Sequence, residues 1–289
     1  VWNLQQVRDK QLQSLWDYWD LYVNGNGELW TWGLNNYGNL GHNQAHQAKI
    51  SSPVQVGSAT NWVRLMGSGG GTSAGAINAD AELWVWGRNE YGQLGQGEAS
   101  PTFGGLSSPV QIPGSWTYGS ISDNSMAAVK TDGTLWAWGT NEYGQIGQEN
   151  TTNYSSPVQV PGTTWVSVIG GSGAFKGVKT DGTLWCWGYN HRGQLGVNNT
   201  TNYSSPKQVP GTTWTLSNNT SRGEQAVRFM KTDGTMWSWG YNGGLGLNDT
   251  VKRSSPTQIP GTDWSTIGGA TYNGIATKTD GTLWMWGTN

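Results

Sequence analysis

One short pattern, Leu-Trp-x-Trp-Gly, recurs along the chain and constrains its fold more than any other feature. Copies begin at Leu29, Leu83, Leu135, Leu184, Met236 (with Met for Leu) and Leu283, at intervals of 47 to 54 residues in a chain of 289. Self-similarity with a period of roughly 20 to 50 residues is the signature of solenoids, propellers and repeat arrays. The chain is therefore expected to form six structural repeats, in preference to two unrelated domains.

Each repeat has the sequence of short strands separated by strong turn signals. Ser-Ser-Pro followed by an alternating pattern recurs at Ser51, Ser107, Ser155, Ser204 and Ser254. Lys-Thr-Asp-Gly-Thr stretches place glycine where a tight hairpin needs a positive φ. Gly and Pro are too frequent for a helical solenoid. Four short strands per repeat predict an all-β fold, a β-propeller of six blades with four-stranded sheets.

The two Trp residues of each pattern share one face of a strand, because they lie two positions apart. The Leu and the variable residue share the other face, so both faces are mostly apolar. A blade packed between two neighbours covers both, and each indole removes roughly 150 to 250 Å² from water there. The Trp residues are therefore interpreted as core, in preference to a sugar-stacking or cofactor site, and no cofactor is expected.

Two of the repeats share a long stretch of sequence that is specific enough to compare with known families. Residues 130–165 and 179–214 share three consecutive segments almost completely. These are Lys-Thr-Asp-Gly-Thr-Leu-Trp-x-Trp-Gly, a loop similar to Asn-x-x-Gly-Gln-Leu-Gly, and Ser-Ser-Pro-x-Gln-Val-Pro-Gly-Thr-Thr-Trp. This run resembles the repeat of the regulator of chromosome condensation family, in the short form common in bacterial and bacteriophage proteins. The resemblance covers roughly residues 20–289 and implies a β-propeller that binds other proteins.

Two departures limit what the resemblance carries over. The founding family members have seven blades, whereas six copies of the pattern argue for six. The usual His before the Asp-Gly hairpin is absent, so its role in relatives is not transferred. Relatives include a guanine-nucleotide exchange factor, a secreted β-lactamase inhibitor and virion-associated or surface proteins, so function does not follow from the fold.

Residues 1–19 differ from the repeats that follow. Leu12, Leu15, Trp16 and Trp19 belong to a helix-like apolar stripe in a segment that contains neither Gly nor Pro from residue 3 on. The prediction is a short N-terminal helix that packs under the ring. A docking or oligomerising helix and an aberrant strand are the alternatives. Residues 20–289 are predicted to form the propeller, closed by pairing of its N- and C-terminal strands.

Composition excludes several classes of function. A net charge of -2 leaves no broad basic field for phosphates, so no nucleic-acid partner is expected. No run of 18 apolar residues is present, so no membrane insertion is expected. The single Cys186 is interpreted as a small core residue. Only three His are present, and no nucleophile with its base or cluster of metal ligands is evident. The chain is predicted not to be an enzyme and to hold no metal.

The loops are the predicted recognition elements, because they vary on a constant framework. Aromatic and Arg residues anchor protein interfaces. On this basis the predicted binding residues are Phe103 in the longest excursion, Tyr154 and Tyr203 on equivalent loops, and Arg222, Glu224 and Arg228 in a second, charged excursion.

The function expected is that of a structural and protein-recognition module on a virion or a cell exterior. The location rests on the resemblance alone. A multivalent glycan-binding lectin is one alternative, and a guanine-nucleotide exchange factor or secreted enzyme inhibitor is another. A homo-oligomer formed through the N-terminal segment is left open.

Overall fold

The protein is described by a computed structural model that covers residues 19–44, 48–66, 72–100, 104–215, 225–269 and 272–287. For residues 19–22 and 48 it describes the backbone. These residues form six antiparallel sheets, here called blades 1 to 6 in chain order, and neighbouring strands in each sheet are neighbours in sequence. The predicted all-β propeller fold with six repeats is confirmed. Within these described residues four of the six blades have the predicted four strands, and blades 1 and 6 have three.

The strands of blades 1 to 3 are β1 Trp19–Val23, β2 Leu29–Asn35, β3 Ala48–Gln55; β4 Trp62–Met66, β5 Ser73–Asn78, β6 Leu83–Arg88, β7 Gly105–Ile112; and β8 Trp116–Ser122, β9 Ser125–Lys130, β10 Leu135–Gly139, β11 Tyr154–Val160. Those of blades 4 to 6 are β12 Trp165–Gly171, β13 Ala174–Lys179, β14 Leu184–Gly188, β15 Tyr203–Gln208; β16 Trp214–Thr215, β17 Ala226–Lys231, β18 Met236–Gly240, β19 Arg253–Ile259; and β20 Trp264–Gly269, β21 Asn273–Lys278, β22 Leu283–Gly287. A 3-10 turn spans Asn242–Gly244. None of the described helical segments is long and apolar enough to cross a bilayer.

In blades 2 to 6 the second Trp of the Leu-Trp-x-Trp-Gly pattern joins its blade to the preceding one. Its indole Nε1 donates to a backbone carbonyl in the loop that follows the third strand of the preceding blade. The bonds are Trp86 to Asn39, Trp138 to Gln93, Trp187 to Gln145, Trp239 to Gln194 and Trp286 to Gly244, at 2.8 to 3.0 Å. In blades 2 to 5 these indoles are fully buried. The interpretation of these Trp residues as core is thereby confirmed.

The Asn-x-x-Gly-Gln-x-Gly loops owe their sequence to internal hydrogen bonds. In blade 3 the Asn141 Oδ1 accepts from the backbone N–H of Ile146 at 2.8 Å, and the Gln145 Oε1 accepts from the backbone N–H of Tyr143 at 2.9 Å. Gly144, at φ 80°, lies against the backbone of Ser204 in blade 4. The loop is therefore fixed from inside by its amide side chains and lies directly on the Ser-Ser-Pro strand of the next blade.

The described ends of the chain bear on the predicted N-terminal helix and on the predicted closure of the propeller. Trp19, predicted to end a helix, is the first residue of β1 and pairs with Gly33. β1 pairs with β2, and β22 pairs with β21; among the described strands the two do not pair with each other. β1 is the second strand of its own blade, and residues 1–18 and 288–289 lie outside the described part of the chain, so closure of the propeller by its N- and C-terminal strands stays a prediction. Leu283 is 61% exposed, whereas its counterpart Leu184 is fully buried.

Candidate protein-binding surface

Of the predicted binding residues, Tyr154 and Tyr203 support their own loops. Each lies at the start of a fourth strand, half-buried. The Nδ2 amides of Asn150 and Asn199 donate to their hydroxyl oxygens at 2.9 Å in both blades. Their repetition therefore reflects a loop brace shared by blades 3 and 4, because the hydroxyl that would meet a partner already accepts a bond within the chain.

Arg228 corrects a sequence prediction. It was assigned to an exposed loop, but it lies within β17 and is fully buried. Its guanidinium donates to the carbonyl of Gly244, at 3.0 Å from Nε, and lies over the ring of Trp286. Gly244 stands where blades 2 to 4 carry Gln and blade 1 carries Asn, and a Cβ there would meet the guanidinium at 2.6 Å. Arg228 thus fills the volume of the missing Gln side chain, and burial lowers its pKa to about 10.

The remaining predicted positions lie outside the described residues. They are Phe103, Arg222, Glu224, Leu12, Leu15 and Trp16. Their roles stay predictions.

The described residues instead bring aromatic and Arg side chains together at one edge of the blades, here called the tyrosine rim. In an antiparallel meander the end of the third strand and the turn between the first two strands lie at the same edge. The rim consists of residues at those places and in the loop after the third strand: Tyr37, Arg88, Tyr91, Tyr143, Tyr189, His191, Arg192, Tyr241 and Tyr272.

Ring contacts organise the tyrosine rim into three groups. The Arg88 guanidinium lies 5.0 Å from the Tyr37 ring and 5.6 Å from the Tyr91 ring. The ring of Tyr189 lies 4.7 Å from both Tyr143 and His191.

The third group bridges blades 4, 5 and 6. The Arg192 guanidinium lies 5.2 Å from the Tyr241 ring, and Tyr241 contacts Tyr272 edge to face at 6.0 Å. Within each of the three groups, the contacts link blades that follow one another in the chain.

Exposure differs along the rim, and this decides which residues can meet a partner. Tyr143 is 36% and Tyr272 51% exposed, whereas Arg88, Tyr189 and Tyr241 are half-buried. Partial burial, with the neighbouring Glu142 carboxylate, raises the pKa of Tyr143. Its phenol is therefore neutral at physiological pH and keeps its proton for hydrogen bonding. Sequence reasoning missed these residues because the tyrosines recur inside a loop motif and give no local signal of exposure.

The opposite edge, here called the tryptophan rim, carries the hairpins between second and third strands and the turns before each first strand. In blades 3 to 6 the hairpin Asp accepts hydrogen bonds from the backbone and hydroxyl of Thr two residues later, and the Thr hydroxyl accepts from the first Trp of the pattern. In blade 4 these residues are Asp181, Thr183 and Trp185. The Thr hydroxyl bond and then the backbone bond lower the pKa of Asp181. The hairpin Asp residues of blades 3 to 6 are thus committed to stabilising their turns.

A bound metal or an activated nucleophile requires particular groupings of titratable side chains. The described residues contain no group of three or more His, Cys, Asp or Glu side chains placed to hold a metal ion. Cys186 is fully buried opposite Lys176 on the neighbouring strand. Burial raises the pKa of Cys186 to about 12, so its thiol is not activated as a nucleophile. Burial also lowers the pKa of the buried Lys176 ammonium.

The Cys186 thiol is expected to resist alkylation in the folded protein. A pKa raised from 9.0 to about 12 leaves roughly a thousandfold less thiolate at a given pH. Labelling with iodoacetamide at pH 8, followed by intact mass, should therefore show at least that slowing relative to the urea-unfolded chain. Equal labelling rates in the two states would contradict the interpretation of Cys186 as a core residue.

Comparison with known proteins gives a consistent result. The sequence profile described as "Regulator of chromosome condensation (RCC1) repeat" matches residues 26–75, 80–124, 132–173 and 181–215, more than half of the chain. The human E3 ubiquitin-protein ligase HERC2 is 33% identical over 139 residues, 45% of this chain and 3% of that protein. The ultraviolet-B receptor UVR8 of Arabidopsis thaliana is 31% identical over 145 residues, 48% of this chain and 31% of the receptor.

The regulator of chromosome condensation of Xenopus laevis is 30% identical over 149 residues, 50% of this chain and 34% of that protein. The matched region therefore spans about a third or less of each of these relatives. Among solved structures, human WBSCR16 has a TM-score of 0.78 at 20% identity, covering 94% of this chain and 75% of that one. Yeast RCC1 (Prp20), solved bound to Kap60, has a TM-score of 0.76 at 17% identity, covering 93% and 68%. At these identities the structures show the shared fold.

Proposed function

The chain belongs to the regulator of chromosome condensation (RCC1) repeat family, and on that premise we propose that it is a non-enzymatic recognition module whose tyrosine rim binds a protein partner. Proteins of this family are propellers that bind other proteins: the solved yeast relative Prp20 binds Kap60, Gsp1p and histones. The described surface of this chain supports the same class of partner.

The observation that carries the proposal is the composition of the tyrosine rim. Tyr and Arg are among the residue types that dominate binding energy in protein interfaces. Tyr in particular buries a large area with little loss of side-chain entropy. Here they lie on loops whose backbone is fixed by internal amide bonds, such as those of Asn141 and Gln145. A surface ordered before binding loses less entropy on association.

A lectin function is less well supported. Such a function needs repeated exposed Trp or Tyr in equivalent pockets. Among the described Trp residues only Trp284 is exposed, and the repeated Tyr154 and Tyr203 are braced by Asn side chains. Nucleotide exchange on a small GTPase and enzyme inhibition are both forms of protein recognition, and a nucleotide-release assay separates the first from the others.

A location on a virion or a cell exterior is part of the proposal. It rests on the likeness of the repeats to the short form found in bacterial and bacteriophage proteins and on the low content of charged residues, 12% of the chain. Mass spectrometry of purified particles and of culture medium from the source organism tests it. Recovery only from the soluble cell fraction would contradict it.

The double variant Tyr143→Ala/Tyr272→Ala is expected to lose at least about tenfold of its binding to the native partner, since the two most exposed aromatic rings of the rim are removed. Chemical cross-linking in an extract of the source, followed by quantitative mass spectrometry, measures this against wild type.

The matched control is Thr163→Ala/Thr212→Ala, two exposed side chains on the tryptophan rim. The control should recover the same partner as wild type. Equal recovery by the rim variant and the control would show that the tyrosine rim is not the binding surface.

A further inference from the structure

A Lys ammonium lies between two Trp rings in each of blades 3 to 6. The Lys ends the second strand, one Trp begins the first strand, and the other is the first Trp of the repeated pattern. In blade 4 the Lys179 Nζ lies 4.7 Å from Trp165 and 4.6 Å from Trp185. The corresponding Lys residues are Lys130, Lys231 and Lys278, each 4.0 to 5.2 Å from both rings. Ammonium groups at such distances are attracted by the ring quadrupole.

Blade 2 has the same two rings without the cation. Trp62 pairs in register with Asn78, as Trp165 pairs with Lys179. The Trp62 and Trp84 rings lie 6.5 Å apart at 82°, and in blade 4 the Trp165 and Trp185 rings lie 6.5 Å apart at 74°. The aromatic cage therefore keeps its geometry where its internal Lys is replaced by a shorter side chain.

The space left by the Lys is open to the outside. A cleft of about 820 Å³ between blades 1 and 2 is lined by Trp62, Asn78 and Trp84, whereas the cleft at the Lys-filled cage of blade 3 is about 410 Å³. A Cβ built on Gly57, in the turn before Trp62, would meet nothing within 4 Å. In the turn before Trp116, a Cβ on Gly114 would meet the Lys130 Cε at 3.1 Å.

The charges around the open cage favour a cation. Asp80 and Glu82 line the cleft, and no Lys or Arg is among its lining residues in the described part of the chain. Glu82 stands where blade 4 has Thr183, so blade 2, which has Asn in place of the cage Lys, also has a carboxylate that blade 4 lacks. His42 also lines the cleft; burial lowers its pKa, so it is neutral at physiological pH.

We propose that the cleft between blades 1 and 2 binds an alkylammonium group, which enters the Trp62–Trp84 cage from outside and occupies the position that Lys fills from inside in the other blades. Glu82, and Asp80 at the mouth, supply the opposing charge. The site lies on the tryptophan rim and does not depend on the partner of the tyrosine rim.

Titration with n-butylammonium, the chemical equivalent of a Lys side chain, tests the proposal. The readout is the indole Nε1–H resonance of Trp62 in ¹H–¹⁵N spectra, assigned with Trp62→Phe. Butylammonium should shift this resonance saturably, whereas the neutral isostere n-butanol should not. No saturable shift in the tens of millimolar, or an equal shift with butanol, would overturn the proposal.

Exchange of the two repeat types supplies matched variants. Asn78→Lys/Glu82→Thr gives blade 2 the residues of blade 4 and should weaken butylammonium binding at least tenfold, because the cage is filled from inside. Lys179→Asn/Thr183→Glu gives blade 4 the residues of blade 2 and should create a second site, reported by the Trp165 indole. Undiminished binding by the first variant would contradict the proposal, and the second keeps it testable if the first fails to fold.

Two sources of the ligand are separated by a blocked Gly-Lys-Gly peptide and its norleucine counterpart. Binding of the lysine peptide at least as tight as that of butylammonium indicates the side chain of a protein partner. Binding of the free amine alone indicates a small organic amine. Both outcomes support an alkylammonium site, whereas equal binding of the norleucine peptide would contradict it.

Discussion

Replacing Trp187 by alanine is expected to lower the free energy of unfolding by about 3 to 5 kcal/mol. The indole is fully buried and donates to the Gln145 carbonyl at 2.8 Å. Its ring lies tilted against those of Phe175 and Trp165, with centroids 6.2 and 5.9 Å away. Truncation leaves a cavity between blades 3 and 4 and orphans a buried acceptor, so the loss combines packing and hydrogen bonding.

Urea denaturation followed by circular dichroism measures this change. Val166→Ala is the control, because that residue is 45% exposed on the strand that carries Trp165 and should change stability by less than about 0.5 kcal/mol. Similar losses for the two variants would mean that the second Trp of the pattern does not join neighbouring blades.

Gly144→Ala is expected to destabilise the protein by about 2 to 4 kcal/mol, more than most single substitutions. At φ 80° a side chain is strained, and its Cβ would lie 2.4 Å from the Cα of Ser204 in the next blade. The neighbour is backbone, so relief requires that blades 3 and 4 move apart.

Gly281→Ala separates the two contributions. Gly281 has φ 84°, and a Cβ there would meet nothing within 4 Å. In this control the free energy of unfolding should fall only by the conformational strain that the new side chain introduces, about 1 to 2 kcal/mol. Equal destabilisation of the two variants, again by urea denaturation, would show that contact with Ser204 contributes nothing.

Local sequence features predicted most of the fold because the forces that specify it act within one repeat. The hairpin glycines, the alternating strands and the paired Trp residues each act over a few positions. The closure of the propeller is not a local property, because it depends on residues far apart in sequence. Pairing of the N- and C-terminal strands stays a prediction, since residues 1–18 and 288–289 lie outside the described part of the chain.

The predicted binding residues also differ in how far local sequence could indicate their role. Arg228 looked like an exposed charge, yet it is buried because Gly244, sixteen residues later, leaves room for its guanidinium. Tyr143 and Tyr272 gave no local signal, since the contacts and exposure that make them candidates arise between neighbouring blades. The sequence shows that blade 2 has Asn78 where blades 3 to 6 have Lys. Only the packing of Trp62 and Trp84 shows that this position lies between two Trp rings.

The sequence by itself determined the repeat, its strands and turns, and the burial of the tryptophans, because hydrophobic periodicity and glycine stereochemistry are properties of neighbouring residues. Only the tertiary structure decided which polar and aromatic side chains are free to meet another molecule. The exposure of a side chain depends on what the next blade covers. Lys179 and Arg228 are examples of cations that contact partners within the fold, a Trp ring for Lys179 and a backbone carbonyl for Arg228.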